Sequence, residues 1–238
     1  MTTTTHDRPT GTREEVLAGW RTTAPAGLAV LPLGIALGVL VVQSGLAWWW
    51  RPVLAGVVFA GSLEFLLVGM LAAAAPFAQV AVTSLLVNFR HVFYALSFPL
   101  HRVHGRGWRA YSTFALTDEA YALTTPPEAQ WWSRARIITI QAGFQACWVL
   151  SVVIGSLLGS VIPPQVRGLE FAVTALFVVL TIEAWKVQRS LPAPAWALVC
   201  AVTALLVAPA NMLLVAMGLF VAGLVAAHVV AKGGTHRA

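Results

Sequence analysis

Charge is missing from long stretches of this chain, and that absence constrains the fold more than any residue that is present. Aspartate, glutamate, lysine and arginine supply 10% of the 238 residues, and 58% are hydrophobic, against roughly 25% charge in an ordinary soluble domain. A water-soluble fold cannot cover itself with so little charge, whereas a lipid-facing surface needs none. A helix rises about 1.5 Å per residue, so about 20 apolar residues cross the ~30 Å hydrocarbon core. Apolar runs of that kind fall at 24–43, 52–75, 77–100, 137–162, 169–185, 195–208 and 211–231. An eighth, 111–124, is apolar apart from Asp118 and Glu119 and is short for a span. The expected fold class is all-α: a polytopic transmembrane helical bundle with seven or eight spans, some of them broken.

Residues 1–19 read as a polar N-terminal tail, 20–231 as a single transmembrane domain and 232–238 as a basic C-terminal tail. The N-terminal tail has no short apolar region leading to a cleavage site and is not read as a signal peptide. The formal charge of +6 comes mostly from arginines beside or between apolar runs, as orientation signals do, which argues against nucleic acid as a partner. The basic loop at 101–109 is expected in the cytoplasm. If the tail lies there too, an even number of crossings must precede that loop, yet three apolar runs do. Either the tail is outside or one run is re-entrant. Pro25 and Pro32 in the first run, Pro99 at the end of the third and Pro163-Pro164 after 137–162 predict interrupted helices. A break in lipid needs protein or water around it.

Small residues recur four apart at Gly34 and Gly38, Gly56 and Ala60, Gly155 and Gly159, and Gly218 and Ala222. Such pairs let helix backbones approach closely, which matters where apolar burial gives helices little reason to associate. Leu63-Glu64-Phe65 recurs as Leu169-Glu170-Phe171, which suggests an internal, inverted repeat of the kind transporters use.

A charge at mid-bilayer costs about 2.5–3.5 kcal/mol on insertion scales, so each one needs a partner or a function. Glu64 lies near the middle of an apolar run behind Gly61-Ser62, a pair suited to opening the helix; a carboxyl group there would suit a proton carrier or hold packing together. In the third run Asn88 and His91 are expected on one helix face, with Arg90 facing Tyr94 one turn on. An arginine there can hold a carboxylate bidentately. Asp118 and Glu119 are adjacent carboxylates in an apolar stretch, and Arg90 is the counter-ion for one of them. Gln141, Gln145, Glu170, Glu183 and Asn211 complete the set, with Glu183 read as structural.

Enzymatic readings fare poorly. The chain has no Gly-x-Ser-x-Gly elbow, zinc-binding His-Glu-x-x-His or phosphate-cradling loop. His91 and Asp118 could form the acid/base pair of an intramembrane hydrolase, but no nucleophile accompanies them. Cys147 and Cys200 are isolated and the six histidines scattered, so no metal, cofactor or catalytic residue is expected.

At its polar motifs the chain resembles the AzlC family, the large subunits of bacterial branched-chain amino acid exporters. Phe59-Ala60-Gly61-Ser62-Leu63-Glu64-Phe65 is similar to the family's Phe-Ala-Gly-(small)-x-Gln-Phe segment. Leu86-Val87-Asn88-Phe89-Arg90-His91 with Tyr94-Ala95-Leu96-Ser97 resembles its Asn-x-Arg-His and Tyr-x-x-Ser stretch, and Leu116-Thr117-Asp118-Glu119 with Tyr121-Ala122-Leu123 its Leu-Thr-Asp-Glu block. Residues 25–38 and Gly168-Leu169-Glu170-Phe171-Ala172 fit in the same order, so the likeness runs from about Trp20 to Gly223. Glu64 stands where the family usually has Gln, and Glu170 where Asp is common.

The resemblance implies a multi-pass protein of the bacterial inner membrane that exports valine, leucine, isoleucine or methionine with a small hydrophobic AzlD-type subunit. A secondary exporter working by alternating access is the expectation. Arg90 is the candidate for the substrate carboxylate, helped by Asn88, His91 and amides near Gly61 and Ser62. Glu64, Asp118 and Glu119 are candidates for the ammonium or the coupled proton. The rival reading is a non-transporting membrane scaffold; an intramembrane hydrolase stands behind it.

Overall fold

The computed structural model describes residues 11–162, 178, 192–209 and 212–234. The described elements are all helical. Apart from Val178, the 169–185 run lies outside the described residues, with Glu170, Glu183 and the second copy of Leu-Glu-Phe; Asn211 lies outside them too. The chain forms two compact units, one of Met1–Ala75 with Val87–Glu170 and the other of Pro76–Leu86 with Phe171–Ala238.

The first unit is built on two long helices, α1 (Thr12–Gln43) and α8 (Arg134–Val161). Both are long and apolar enough to cross a membrane. They run parallel and in register: Gly19 lies against Thr139, Gly27 against Cys147, Gly34 against Ser151, Ile35 against Gly155 and Val39 against Gly159. Each glycine is a point where a side chain would strike the other helix, so the small-residue pairs Gly34/Gly38 and Gly155/Gly159 do bring the backbones together. Two hydroxyls also cross the seam: Thr23 Oγ1 donates to the Ile140 carbonyl and Ser156 Oγ to that of Gly38, each at 3.4 Å. Pro25 and Pro32 do not interrupt α1, contrary to the reading from sequence. A proline removes one backbone bond, and contacts with α8 on both sides of each proline carry the helix through.

The interruptions fall elsewhere, at three places without a proline. The 52–75 run starts as α2 (Trp50–Val53) and widens into a π turn over Leu54–Val58, closed by the Phe59 amide donating to the Leu54 carbonyl. Phe59 then takes a left-handed conformation with φ 45°, which is strained for an aromatic residue. The helix resumes as α3 (Gly61–Ala72). The 77–100 run is α4 (Phe77–Asn88), a turn at Phe89-Arg90, and α5 (His91–Ser97). Phe98 leaves α5 extended, as a residue before proline must. Asn88 and His91 therefore lie on two helices and do not share the face expected of a continuous one. The 111–124 run is also two helices, α6 (Arg106–Phe114) and α7 (Asp118–Thr124), joined at Ala115-Leu116-Thr117. Thr117 caps α7 by accepting the Ala120 amide at 3.3 Å, and Asp118 and Glu119 occupy the first turn, where carboxylates complement the helix dipole.

Arginines tie the start of α1, the segment after α5 and the start of α8 together at one end of this unit. Arg102 Nε and Nη2 donate to the Trp132 and Trp131 carbonyls, and Arg134 Nη1 to that of His104. Ser133 Oγ donates to Glu15 Oε2 at 2.7 Å, and the Arg136 guanidinium lies 3.9 Å over the Trp132 ring. Phe98, Val103, Leu116 and Ile137 close a small apolar core beneath this end.

In the second unit, α9 (Pro192–Val207) and α10 (Met212–Gly234) pack where Gly223 meets the Trp196 ring. Cys200 and Ala204 are buried on the same face as Trp196. Of the other small-residue pairs, Gly56 and Gly218 have open space around them.

The seam predicts a clear contrast. Gly155→Val places its side chain on the Ile35 backbone, so it should destabilise the folded protein by at least about 1–3 kcal/mol, read as a lower unfolding temperature in detergent. Gly218→Ala, facing open space, should leave that temperature unchanged.

Candidate functional site

The three interruptions meet, and side chains satisfy what they leave open. In the first unit the start of α3 lies against the middle of α8. Glu64 is fully buried there. Its Oε1 accepts the Ala60 amide at 2.8 Å and the Trp148 indole Nε1–H at 3.1 Å. The carboxyl group thus caps its own helix from one turn inside and ties the break to α8. Gly61 lies on the Trp148 ring, where a Cβ would be 3.4 Å from it. Gln145, one turn earlier on α8, accepts from Tyr111 Oη at 2.8 Å and donates to the Gly56 carbonyl of the π turn at 3.2 Å. Gln141 donates to the Ser112 carbonyl at 2.8 Å near the end of α6.

Beside this anchored layer stands an ion pair. Arg90, in the turn between α4 and α5, holds Asp118 bidentately, Nε to Oδ1 at 2.9 Å and Nη2 to Oδ2 at 2.7 Å. Nη2 also donates to Ser62 Oγ at 3.0 Å in the first turn of α3. Tyr94 Oη donates to Asp118 Oδ1 at 2.8 Å, and His91 Nε2 lies 3.7 Å from the same oxygen. The pair is open on one side, with side chains 42% and 43% exposed. A bidentate, charge-assisted pair is strong for its size, and its exposure leaves it reachable by a competing carboxylate.

Of the residues singled out from sequence, Ser62, Arg90, His91 and Asp118 stand together. Half-buried Gly61 and buried Glu64 form the adjoining layer, and Glu119 is the half-buried neighbour of Asp118. Asn88 contributes its backbone carbonyl, 3.1 Å from His91 Nδ1. Three contributors, Tyr111, Trp148 and Tyr121, were given no role from sequence. Trp148 carried a signal, a tryptophan midway along a long apolar run where tryptophans favour the membrane interfaces. Tyr121 stacks on Tyr94 at 4.2 Å and shares a 2.7 Å hydrogen bond with Ser97; nothing in the sequence places these across two helices.

The geometry at Glu64 separates shape from charge. Glu64→Leu strands the Ala60 amide and the Trp148 indole, so it should cost about 1–3 kcal/mol per orphaned donor. Glu64→Gln keeps an oxygen for both donors and should stay within about 1 kcal/mol of the parent. Thermal unfolding in detergent checks both.

The AzlC protein family model matches residues 25–162, which contain all of these groups. An uncharacterized membrane protein of Helicobacter pylori is 35% identical over 162 residues, 67% of this chain and 71% of that protein. A second, from Haemophilus influenzae, is 31% identical over 167 residues, 66% of each chain. The branched-chain amino acid transport protein AzlC of Bacillus subtilis is 28% identical over 187 residues, 74% of this chain and 72% of that one. No solved structure matches. With two helices long and apolar enough to cross a membrane, further shorter apolar helices and membrane proteins as its relatives, the chain is a multi-pass membrane protein and belongs to the AzlC family.

Proposed function

We propose that this chain is the large subunit of a secondary exporter that moves branched-chain and related apolar amino acids, such as valine, leucine, isoleucine or methionine, out across the bacterial inner membrane. Residues 20–231 form its transport domain, and a small hydrophobic AzlD-type subunit accompanies it. The similarity to a protein named for branched-chain amino acid transport supports the substrate class. The observation that carries the reading is the half-exposed Arg90–Asp118 pair where three helices are interrupted. Transporter sites are built at interrupted helices because such breaks free polar groups for a ligand.

A zwitterion brings one charge for each member of that pair. Its carboxylate exchanges with Asp118 on the Arg90 fork, with Ser62, His91 and the amides at the start of α3 nearby, and the released Asp118, with Glu119 beside it, meets the ammonium. Asn88 holds the turn that carries Arg90. Glu64 is enclosed, with its short hydrogen bonds already made on one oxygen, which favours a coupled proton over the substrate ammonium as its role.

Two outcomes test this. Cells fed valine- or leucine-containing dipeptides should accumulate the free amino acid when they lack the chain and clear it when they carry the chain with its small partner. Arg90→Ala should reduce that efflux by about tenfold or more, and Arg90→Lys should not restore it, because an ammonium cannot reproduce the planar fork. Normal efflux by Arg90→Ala would remove Arg90 from the substrate site. Separately, Glu64→Gln should flatten the dependence of efflux rate on pH; an unchanged rate and pH profile would take proton coupling away from Glu64.

A further inference from the structure

We infer that the groove between α5 and α7 is a water-filled lane that joins the Arg90–Asp118 pair to the arginine-tied end of the first unit. Water access is independent of the exporter reading; that an amino acid travels the lane rests on it.

The two half-helices lie side by side and point the same way. Arg90 meets Asp118, Tyr94 meets Asp118 and stacks on Tyr121, and Ser97 meets Tyr121. One turn farther, Gln130 Nε2 donates to the Ser97 carbonyl at 3.3 Å. The rungs advance together along both helices, so α5 and α7 are parallel. Each has seven residues, about 10 Å of rise. Both then lead to the arginine-tied end, α5 through Arg102 at the Trp131 and Trp132 carbonyls and α7 through the Pro127–Trp131 turn to Ser133 beside Glu15.

The α6–α7 hairpin enters from that end and returns to it. Arg134 holds the His104 carbonyl before α6. Tyr111 then meets Gln145, eleven residues into α8 or about 16 Å along it, and Trp131 and Trp132 are back beside the start of α8. Neither helix is long enough to cross, so 111–124 is a re-entrant element.

The faces of the two half-helices decide what fills the groove. Phe89, in the turn before α5, and Val92, Phe93 and Leu96 on it share one side and are all exposed, as a lipid-facing stripe would be. Arg90, Tyr94 and Ser97 share the other side. On α7, Ala120 and Thr124 are buried, whereas Asp118, Tyr121, Ala122 and Thr125 share the open side. Ser97, Ala122 and Thr125 are exposed and Gln130 is half-buried. Hydroxyls, amides and an ion pair exposed at this depth would each carry a heavy cost in hydrocarbon. They face water instead.

Thiol accessibility tests this in the full chain with its small partner. Cys147 and Cys200 are first replaced by alanine, and single cysteines are placed at Ser97, Ala122, His104 and Leu157. His104 marks the arginine-tied end, and Leu157, exposed on α8, stands for a lipid-facing position. Vesicles of both orientations receive a charged, membrane-impermeant methanethiosulfonate, which needs the thiolate and therefore water at the sulfur. Ser97→Cys and Ala122→Cys should react from the side on which His104→Cys reacts, within about tenfold of its rate, and Leu157→Cys should be inert. Reaction of both lane positions as slow as that of Leu157→Cys, or only from the opposite side, would overturn the lane. Two positions on separate helices keep the result readable if one variant misfolds. Added valine should slow modification at Ser97→Cys; labelling from the expected side without protection by valine, leucine, isoleucine or methionine would uphold the lane and count against the exporter reading.

Discussion

Interrupting a helix inside a bilayer frees amides and carbonyls that hydrocarbon cannot satisfy, and the first unit of this protein is organised around meeting that demand three times. At Phe59-Ala60 the amide goes to Glu64 and the π-turn carbonyl to Gln145. At Phe89-Arg90 the side chain of the turn residue becomes the bridge, reaching Ser62 on α3 and Asp118 on α7. At Ala115-Leu116-Thr117 the threonine caps the next helix. The first of these repairs ends on α8 twice, at Trp148 through Glu64 and at Gln145. One long continuous helix thus serves as the reference against which the broken ones are fixed.

The α1–α8 seam is what lets α8 hold that role. Two helices with almost no polar surface have little reason to associate in lipid, so close backbone approach must supply van der Waals contact. Glycines in register on both helices permit it along most of their length, and the Thr23 and Ser156 hydroxyls add directional bonds. The same continuous contact explains why two prolines leave α1 unbroken, whereas segments away from the seam break without any proline.

The sequence made the helical class legible through composition and the site through its exceptions: an arginine, a histidine and carboxylates in apolar runs have few places to go but to one another. Arg90 as the counter-ion for one of the adjacent carboxylates followed from charge alone, while the choice of Asp118 over Glu119 came from the structure. The positions of the breaks followed only in part: Gly61-Ser62 marked the first, at Phe59-Ala60, whereas Pro25 and Pro32 mark none and the break at Phe89-Arg90 carries neither proline nor glycine, so there the deciding factor was tertiary. Asn88 and His91, three apart, read as one helix face for the same reason. Run 111–124 is too short for a span unless tilted, broken or packed inside the protein, and the structure breaks it between Phe114 and Asp118; hydropathy measures length and apolarity but not the direction of the second half. Glu64 was legible as a buried carboxyl group, but its partner Trp148, far along the chain, was not.

The Arg90–Asp118 pair can be both strong and exchangeable because of where it stands. Fully buried, a bidentate pair could be opened only at a cost of several kcal/mol, since each charge would be left uncompensated. Fully exposed, it would contribute about 0–1 kcal/mol and orient little. Half-exposed at the inner end of a polar groove, with Tyr94 and Ser62 holding its geometry, it keeps the fork aligned while water and a competing carboxylate can reach it. On the proposed exporter reading, a zwitterion would satisfy both partners as it separates them, so neither charge would be stranded during the exchange. On the same reading, a carboxylic acid without an ammonium would leave Asp118 unpaired and an amine without a carboxylate would leave Arg90 unchanged, so the pair would favour zwitterions before any apolar wall reads the side chain.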